Sequence, residues 1–600
     1  MASSLSTYYV RFHIWRVKHL SKDYFVSILS VIIGILSAFA AFLFKTLVHD
    51  IRHLLTIGIF KEYGQYAQLA YVVLPIIGII LTVLFLKFIL KRWLNHGVPN
   101  VLYSISRNAA RLKPSNMYAS IVASALTIGF GGSAGVEGPA AATGSALGSN
   151  VASFFRLRYK DRVLLLGAGA AAAIAAIFKA PITGIVFVIE ILMLDLKFRS
   201  LIPLLLASSS ATITSYFLLG KDVIYSVSVV YRFPFHDIPW FLLLGIISGF
   251  ISLYYFKTYV YVHQFFEEKI PSRINKLLIG GILLGGFVFL FPSIYGEGFT
   301  VINHLLHNQY NFIFKHAFLS PSSHYDVLFF LVFIGIILAK AIATSLTFVA
   351  GGIGGDFAPA LFIGANVGTV FALFSNYYLH TNLNPIVFTL VGMAASISGI
   401  LHAPLTAIFL IAEITGNYTL FVPLMLVSAL SFFTIRLFSK ESIYTFRLSK
   451  RGELVTHDKD QSAINMIEIN KLIETNFQKI KLHDSLGEIV KAFEQSKRNL
   501  FPIVNDDNQF EGLVFLDDIR KTMCHREFWD TIKAEDVILR FEKDEIIEIT
   551  KDTPQIIINK FLSTGNYNLP VVKNGHYLGF ISRANVFTQY RKLVKLLATD

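Results

Sequence analysis

Long apolar segments alternate with short polar ones along the first three quarters of the chain. The apolar segments cover roughly residues 24–49, 66–90, 117–155, 163–219, 238–260, 274–293, 327–348 and 357–438. A stretch of about 20 apolar residues is long enough to cross a lipid bilayer as a helix. The pattern therefore predicts an all-α membrane region with many spans.

Glycine and proline interrupt these segments at residues 131–139, 180–181, 351–359 and 403–404. Each interruption exposes backbone groups that lipid cannot satisfy, so the irregular backbone must line a cavity or pack within protein. The 14 residues 181–194 would span only about 21 Å of a hydrocarbon core about 30 Å thick. We therefore predict half-helices that end inside the membrane.

The two halves of the apolar region repeat each other. Pro139 and Pro359 are each followed by two glycines at an offset of 220, and residues 169–191 match residues 392–414 at an offset of 223. Duplicated halves with broken helices are typical of transporters whose substrate site lies at the repeat interface, near the bilayer midplane. The sequence therefore predicts an inverted-repeat membrane protein with such a site.

From about residue 451 the apolar runs shorten and charged residues return. An amphipathic helix is predicted from Ser485, and strands are predicted at residues 501–504 and 512–514. The same order recurs 67 to 68 residues later, with strands at residues 569–572 and 579–581. This part of the chain is predicted to be a pair of small α/β modules.

Composition and charge agree with two different environments. Of the 600 residues, 54% are hydrophobic and only 15% are charged, which does not suit a soluble surface. Residues 1–450 hold 32 Lys and Arg against 16 Asp and Glu, a balance of +16, while residues 451–600 hold 21 against 23, a balance of −2. Positive flanks of membrane helices explain the total of +14 better than nucleic-acid binding does.

The N-terminal end indicates the orientation. Arg11, Arg16, Lys18 and Lys22 precede the first apolar run, which lacks a small-residue cleavage pattern. A retained anchor with a cytoplasmic N-terminus is the interpretation. Cys524 is the only cysteine in the sequence, which excludes an intramolecular disulfide and zinc sites built from cysteine clusters.

These observations together predict three parts of the chain. They are a cytoplasmic N-terminal segment (1–22), a transmembrane domain (23–450) with repeats at about 23–219 and 238–450, and a cytoplasmic domain (451–600) with modules at about 466–530 and 534–597.

Three glycine-rich segments have the chemistry to hold an anion. Residues 95–99, 131–139 and 351–359 each place glycine shortly before a proline that suits a first helical turn. A helix N-terminus carries unpaired N–H groups and about half a positive charge, and glycine lets an ion approach that backbone. Alternatively, the glycines only permit close helix packing. Duplication of the segment in both repeats favours the anion site.

Three acids lie within the apolar segments at positions of interest. Glu137 is inside the first repeated glycine-rich segment, and an acid within the membrane is a functional hypothesis by default. It could occupy the anion site and leave when it is protonated, or it could merely cap the helix. Glu190 and Glu413 end the two repeat-related short helices, where a carboxylate is less favourable. For this pair we favour a packing or salt-bridge role over ion handling.

The motifs GVEGP, GGDFAP and HGVP, with residues 442–445 before the soluble tail, resemble the CLC family of chloride channels and chloride/proton antiporters. The resemblance covers about residues 20–450, and the tail resembles the paired CBS domains of many members. It implies a homodimer with one anion pathway in each subunit, gated by Glu137. The candidate anion-binding positions are His96, Gly97, Val98, Val136, Gly138, Asp356, Phe357, Ala358 and Tyr444, the last through its hydroxyl group.

Three residues depart from the family pattern. Ile191 stands where proton-exchanging members usually have a second acid, which favours a channel or uncoupled carrier over a stoichiometric antiporter, although water or Glu190 could substitute. His96 stands where the family often has serine, so imidazole and backbone ligation both stay open, as does the anion preference. Asp356 adds a carboxylate beside a proposed anion-binding amide and must turn away, pair or stay protonated.

In CBS pairs that bind adenine nucleotides, a Ser or Thr and an Asp after the last strand hold the ribose and phosphate. Asp518 fits in the first module, where Phe515 replaces the hydroxyl group, and Ser582 fits in the second, where Asn585 replaces the acid. Because each module keeps only one partner, a structural dimerisation platform is favoured over a nucleotide sensor. No other cofactor and no metal site are expected.

The sequence is interpreted as a channel or transporter of the cell membrane for chloride or a similar monovalent anion, and not as an enzyme. An intramembrane enzyme would need a nucleophile with a base, or a metal constellation, and no HExxH motif occurs. A CBS-regulated carrier of a cation such as magnesium is the stronger rival. Its pore would need several carboxylates or carbonyl-lined sites, whereas residues 1–450 hold only 16 acids.

Overall fold

The computed structural model describes residues 15–16, 18–55, 67–94, 97–193, 198–220, 234–314, 327–416, 418–450, 463–464 and 466–598. The chain divides into two compact units, Met1–Leu454 and Val455–Asp600. Among the described residues, nine helices of the first unit are long and apolar enough to cross a membrane.

The first membrane repeat contributes eight helices. They are α1 (Lys22–Leu55), α2 (Ala67–Leu84, followed by a π-helical turn Phe85–Ile89), α3 (Gly97–Arg107), α4 (Asn116–Gly129), α5 (Glu137–Phe154), α6 (Tyr159–Phe178), α7 (Pro181–Glu190) and α8 (Phe198–Leu219).

The second membrane repeat contributes the remaining helices of this unit. They are α9 (Ile238–Lys269), α10 (Arg273–Leu290), α11 (Phe299–Leu306), α12 (Asn311–Phe314), α13 (Val327–Val349), α14 (Phe357–Tyr378), α15 (Pro385–Leu401), α16 (Pro404–Thr415), α17 (Phe421–Arg436) and α18 (Ile443–Lys450).

Matching helices of the two repeats pack in matching ways. Helix α5 packs on α6 and α14 packs on α15, while α1 packs on α8 and α9 packs on α17. A Cβ atom on Gly144 would collide with the carbonyl group of Gly169, and one on Gly364 would collide with that of Gly392. Small residues let these backbones approach closely, which is how helices associate in lipid.

The predicted interruptions are present, with the same backbone geometry in both repeats. Gly131 and Gly351 have φ values of +97° and +106°, a region that glycine adopts without a steric penalty. Lys179 and His402 end α6 and α15 in the left-handed region, at φ +57° in both cases. Each is followed by alanine and then by the proline that starts the next short helix.

Helix α7 is shorter than the predicted segment 181–194. It spans ten residues and ends at Glu190, so at a rise of about 1.5 Å per residue it covers about 15 Å. Residues 191–193 leave the helix in a turn and a bend, and Leu194 lies outside the described residues. The half-helix therefore reaches about halfway across a hydrocarbon core about 30 Å thick.

The second unit contains two α/β modules built alike. The first contains β1 (Ile480–Lys481), α19 (Leu486–Glu494), β2 (Leu500–Val504), β3 (Phe510–Phe515), α20 (Leu516–Ile519) and α21 (Ala534–Val537). The second contains β4 (Ile547–Glu548), α22 (Pro554–Thr564), β5 (Asn568–Lys573), β6 (His576–Ser582) and α23 (Arg583–Ala598).

The strand order confirms the predicted duplication of these modules. In each three-stranded sheet the short first strand is parallel to the middle strand, which pairs antiparallel with the last. The register shifts at Ile503/Val504 in one sheet and at Val571/Val572 in the other. The Ser485 hydroxyl accepts from the Glu488 N–H and completes a capping box at α19, which is the helix start that the sequence predicts.

Candidate anion site

The two glycine-rich breaks of the membrane repeats meet backbone to backbone. The Gly135 N–H donates to the Gly355 carbonyl at 2.8 Å, and the Gly355 N–H donates to the Gly135 carbonyl at 2.8 Å. The pair forms an isolated antiparallel bridge. The N-terminus of α5 therefore lies beside the N-terminus of α14.

Two repeat-related threonines hold the same breaks together. The Thr127 hydroxyl accepts a hydrogen bond from the Ile353 N–H at 3.0 Å, and the Thr347 hydroxyl accepts one from the Ser133 N–H at 3.1 Å. Both bonds cross between the repeats, and all four groups are buried. Each such bond contributes about 1 kcal/mol, so the breaks form a defined backbone structure.

Glu137, the first residue of α5, lies at this junction with only 1% of its surface exposed. Its carboxyl group lies beside its own backbone N–H and that of Ala358, in the first turn of α14. Neither carboxyl oxygen has a hydrogen-bond partner of normal geometry in the described part of the chain. The carboxyl group of one repeat thus lies at the N-terminal end of a helix of the other repeat, where negative charge is favoured.

The third glycine-rich segment joins the same place. A Cβ atom on Gly97 would lie 2.6 Å from the carbonyl carbon and oxygen of Gly138 and 3.1 Å from the nitrogen of Pro139. Val98 follows in the first turn of α3 and is 1% exposed. The structure therefore brings Gly97 and Gly138 together, whereas His96 lies outside the described residues.

Tyr444 and the first turn of α14 complete the cluster. The buried Tyr444 hydroxyl lies beside the Asp356 backbone N–H and is close enough to the Glu137 carboxyl group to interact with it electrostatically. Phe357 and Ala358 follow Asp356 and are fully buried. Their first-turn N–H groups have no intrahelical acceptor. These groups have the chemistry to bind a desolvated anion.

The Asp356 side chain is paired. Its Oδ1 atom accepts a hydrogen bond from the hydroxyl group of Tyr255, a fully buried residue of α9, at 3.0 Å. Asp356 itself is 5% exposed. The sequence allows this carboxyl group to turn away, pair or stay protonated. In the structure it is paired.

A cavity of about 220 Å³ opens beside Glu137. Its lining residues are Lys45, Val48, His49, Arg52, Val136, Ile177, Phe178, Glu297 and Phe299. Lys45 and Glu297 are both close enough to Glu137 to act on its charge, and the Phe178 and Phe357 rings lie 5.5 Å apart. We call this cavity the vestibule, and its lining places the half-buried Lys45 and Arg52 close to the cluster.

Glu190 and Glu413 form a reciprocal pair between the repeats. The Glu413 carboxylate accepts from the backbone N–H groups of Ile182 and Thr183 at 3.0 and 2.7 Å. The Glu190 carboxylate accepts in the same way from Leu405 and Thr406 at 2.8 and 2.7 Å. Each acid lies in the last turn of its own helix and caps the start of the other. The favourable N-terminus of the partner helix therefore compensates for the unfavourable C-terminus. The capping partners are amide and hydroxyl groups rather than the cation of a salt bridge.

Four charged residues near the site were not identified from the sequence. They are Lys45, Arg52 and Glu297 in the vestibule, and Lys340 in α13. Lys340 is fully buried and donates to the carbonyl groups of Ile294 and Gly296 at 3.0 and 2.8 Å, beside Glu297. In the sequence, Lys340 is a lone lysine inside an otherwise apolar segment. This was a signal for the residue, because intramembrane charges mark functional or structural sites.

The candidate nucleotide residues of the α/β unit lie at its strand ends. Asp518 is exposed in α20, and the Ser582 hydroxyl accepts from the Asn585 N–H at 3.2 Å. The Asn585 side chain donates to Glu474 at 2.8 Å, and Glu474 also pairs with Arg498 at 2.9 Å. Aromatic residues fill the space between the two modules, where Phe510, Phe515, Phe541, Tyr577 and Phe580 belong to one apolar cluster.

Comparison with known proteins agrees with this geometry. Residues 78–436, more than half of the chain, match the family model described as voltage gated chloride channel. Residues 469–525 match the CBS domain model. The chain therefore belongs to the CLC family of voltage-gated chloride channels, which confirms the resemblance predicted from its motifs, and it is a multi-pass membrane protein.

Relatives and solved structures cover most of the chain. The H(+)/Cl(-) exchange transporter ClcA of Vibrio cholerae serotype O1 is 26% identical over 450 residues, which is 71% of this chain and 90% of that protein. Chloride channel protein CLC-f of Arabidopsis thaliana is 24% identical over 574 residues, 84% of this chain and 71% of that protein. A slow cyanobacterial Cl−/H+ antiporter of known structure has a TM-score of 0.61 at 23% identity and covers 72% of this chain and 98% of its own. The similarity to this antiporter structure shows that the two chains share a fold.

Proposed function

We propose that this protein carries chloride or a similar monovalent anion across the membrane, through a pathway in each subunit that Glu137 gates. The observation that carries the proposal is the meeting of two helix N-termini, joined by the Gly135–Gly355 bridge. The amides of Gly138, Asp356, Phe357 and Ala358 lie around this bridge. Val136, Gly97 and Val98 lie beside these amides. Such N-termini bind anions without any charged ligand.

Competition between the Glu137 carboxylate and the anion provides the gate. The carboxylate lies beside the Ala358 amide, so it occupies a position that suits a negatively charged ion. A protonated Glu137 carries no negative charge, so the helix N-terminus no longer attracts its side chain. The side chain can then leave the site. The Tyr444 hydroxyl, beside the Asp356 N–H, is positioned to donate to the anion that takes the place of the carboxylate.

The same geometry favours a channel-like or weakly proton-coupled protein. Ile191, at the position of the usual second acid, is 4% exposed. Glu190, the neighbouring acid, has both carboxylate oxygens bound by the first turn of α16. To relay protons, Glu190 would have to give up these bonds and leave the N–H and hydroxyl groups of the buried Thr406 unpaired, which costs about 1 to 3 kcal/mol for each group. The alternative is a stoichiometric anion/proton antiporter, and the name of ClcA describes H(+)/Cl(-) exchange.

Anion flux tests the proposal directly. Purified full-length protein in chloride-loaded liposomes should release chloride once valinomycin supplies a potassium permeability. If no halide and no nitrate is released, the transport function is wrong. The reversal potential of the current should follow the anion gradient alone, and a clear shift with the proton gradient would establish the antiporter instead.

We also propose an orientation, in which helix α1 relates the vestibule to the N-terminus. Lys22 and Lys45 are 23 residues apart in α1, or about 35 Å at a rise of about 1.5 Å per residue. They therefore lie near opposite faces of a membrane whose hydrocarbon core is about 30 Å thick. With a cytoplasmic N-terminus and cytoplasmic CBS domains, the vestibule faces the outside of the cell and Glu137 controls entry from there.

We also propose that the protein is a homodimer, as the family resemblance implies. Helices α7 and α16 pack on each other, and Ile182 and Leu405 in their first turns are 38% and 49% exposed. This apolar surface suits a second copy of the chain. Light scattering in detergent should give twice the protomer mass of 67.2 kDa for the protein component, and a single protomer mass would contradict the dimer.

For the CBS pair we propose a structural platform rather than a nucleotide sensor. The Asn585 side chain is engaged by Glu474, and the apolar cluster around Phe515 and Phe580 fills the space between the modules. Neither feature leaves the polar contacts that a ribose and phosphate require. Titration of the full-length protein with ATP, ADP and AMP should give no binding heat, and saturable heat that is lost in Asp518→Ala or Ser582→Ala would restore the sensor.

A further inference from the structure

A second basic cavity lies at the opposite end of α5 from Glu137. It has a volume of about 620 Å³, and its polar lining is Arg111, Asn150, Ser153, Arg156 and Arg162. Residues 137 and 153 are 16 positions apart in α5, or about 24 Å at a rise of about 1.5 Å per residue. The cavity is therefore separate from the anion site and from the vestibule.

The cavity concentrates positive charge, and no acid lies in its lining among the residues that the structure describes. Arg162 is 7% exposed, and its guanidinium group donates to the carbonyl groups of Ala109 and Leu157 at 3.0 and 3.1 Å. Its Nε atom is buried and has no hydrogen-bond partner in the part of the chain that the structure describes. Arg111 is close enough to Arg162 for the two positive charges to repel each other. Like charges held together in this way are relieved by a bound anion.

The position of the cavity indicates which anion it takes. Asp161, next to Arg162, pairs with Lys22 at 2.9 Å, which puts the cavity at the same membrane face as the start of α1. Guanidinium groups match the oxygens of a phosphate group in planar, two-pronged hydrogen bonds. Basic pockets between membrane helices at the cytoplasmic face suit anionic lipid headgroups.

We propose that this cavity binds a phosphate group at the membrane surface, carried by an anionic phospholipid or present as free phosphate. Arg111 and Arg156 reach the ligand from the exposed side of the cavity. The buried Arg162 supplies the fixed charge at its inner wall. The site does not depend on the anion pathway, so it can be tested whether or not the protein transports chloride.

The test compares two variants that each lose one exposed arginine. Arg111→Gln removes a charge from the cavity, whereas Arg158→Gln removes one from an exposed residue close in sequence that is not part of the lining. Full-length protein is placed in nanodiscs of phosphatidylcholine with and without phosphatidylglycerol, and native mass spectrometry measures the lipid that stays bound. The wild type should retain phosphatidylglycerol over phosphatidylcholine, and Arg111→Gln should weaken this binding about tenfold, the effect of losing one charged hydrogen bond. Arg158→Gln should bind as the wild type does.

A second arm separates the two sources of phosphate. In detergent without phosphatidylglycerol, inorganic phosphate should raise the thermal unfolding midpoint of the wild type but not that of Arg111→Gln if the site takes free phosphate. A phosphatidylglycerol preference that Arg111→Gln removes assigns the lipid headgroup. Two results would overturn the proposal. One is phosphatidylglycerol binding that is weakened equally in Arg111→Gln and Arg158→Gln, and the other is a wild type that responds neither to phosphatidylglycerol nor to inorganic phosphate.

Discussion

The Glu137→Gln variant should pass chloride at a rate that no longer changes with pH. In the wild type, flux should rise as the pH falls, because protonation removes the charge that competes with the anion beside the Ala358 amide. Glutamine keeps the shape of the side chain but never carries that charge. Negative charge at a helix N-terminus is stabilised by up to about 2 kcal/mol in a partly buried geometry, so flux at neutral pH should rise by up to roughly 30-fold. Liposome flux measured over a range of pH values checks this.

Glu297→Gln is the matched control for this prediction. Glu297 lines the same vestibule and also acts on the charge of Glu137, but it is not at the joined N-termini of α5 and α14. The variant should keep a pH-dependent flux, even if its midpoint moves. Flux and pH response that stay unchanged in Glu137→Gln would reduce Glu137 to a structural cap of α5.

The Gly355→Val variant should lose roughly 5- to 150-fold of its anion flux. A Cβ atom at Gly355 would lie 2.8 Å from the nitrogen and 3.1 Å from the Cα atom of Gly138. Those contacts force the two backbone segments apart, and overpacking of this kind costs about 1 to 3 kcal/mol. Because 1.4 kcal/mol corresponds to about a factor of ten, separation of the segments should weaken anion binding and transport together. Calorimetry with chloride and liposome flux measure the two effects.

Gly286→Val provides the same substitution where space is available. Gly286 lies in α10, and a Cβ atom there would have no neighbouring atom within 4 Å. This variant should transport as the wild type does. Gly355→Ala is a smaller change at the same position and should show a smaller loss, which keeps the comparison informative if Gly355→Val does not fold. Equal flux in the Gly355 and Gly286 variants would show that the contact of the two breaks is unimportant for transport.

The sequence predicted the interruptions of the helices because they depend on local chemistry. Glycines at positions 131 and 351 permit positive φ values, and prolines at positions 181 and 404 fix φ and suit a first helical turn. The duplication made both sets visible. The strands of the CBS modules could be predicted for the same reason, since apolar residues cluster between turn residues. These features need no knowledge of distant contacts.

The contacts between repeats could not be predicted in this way. The sequence indicated that Glu190 and Glu413 end their own helices, which suggested an unfavourable position, whereas the structure gives each of them the start of the other helix as a partner. Similarly, nothing local to Asp356 indicates that Tyr255 of α9 will pair with it. Such partners lie more than 100 residues away in the chain and follow only from how the two repeats pack.

Anomalous scattering from bromide in crystals of the Glu137→Gln variant tests whether the joined N-termini of α5 and α14 hold the transported anion. Bromide should give a peak within hydrogen-bond distance of the Tyr444 hydroxyl and of the Phe357 and Ala358 amides. A variant that still transports bromide but shows no peak between the two helix ends would contradict this anion site.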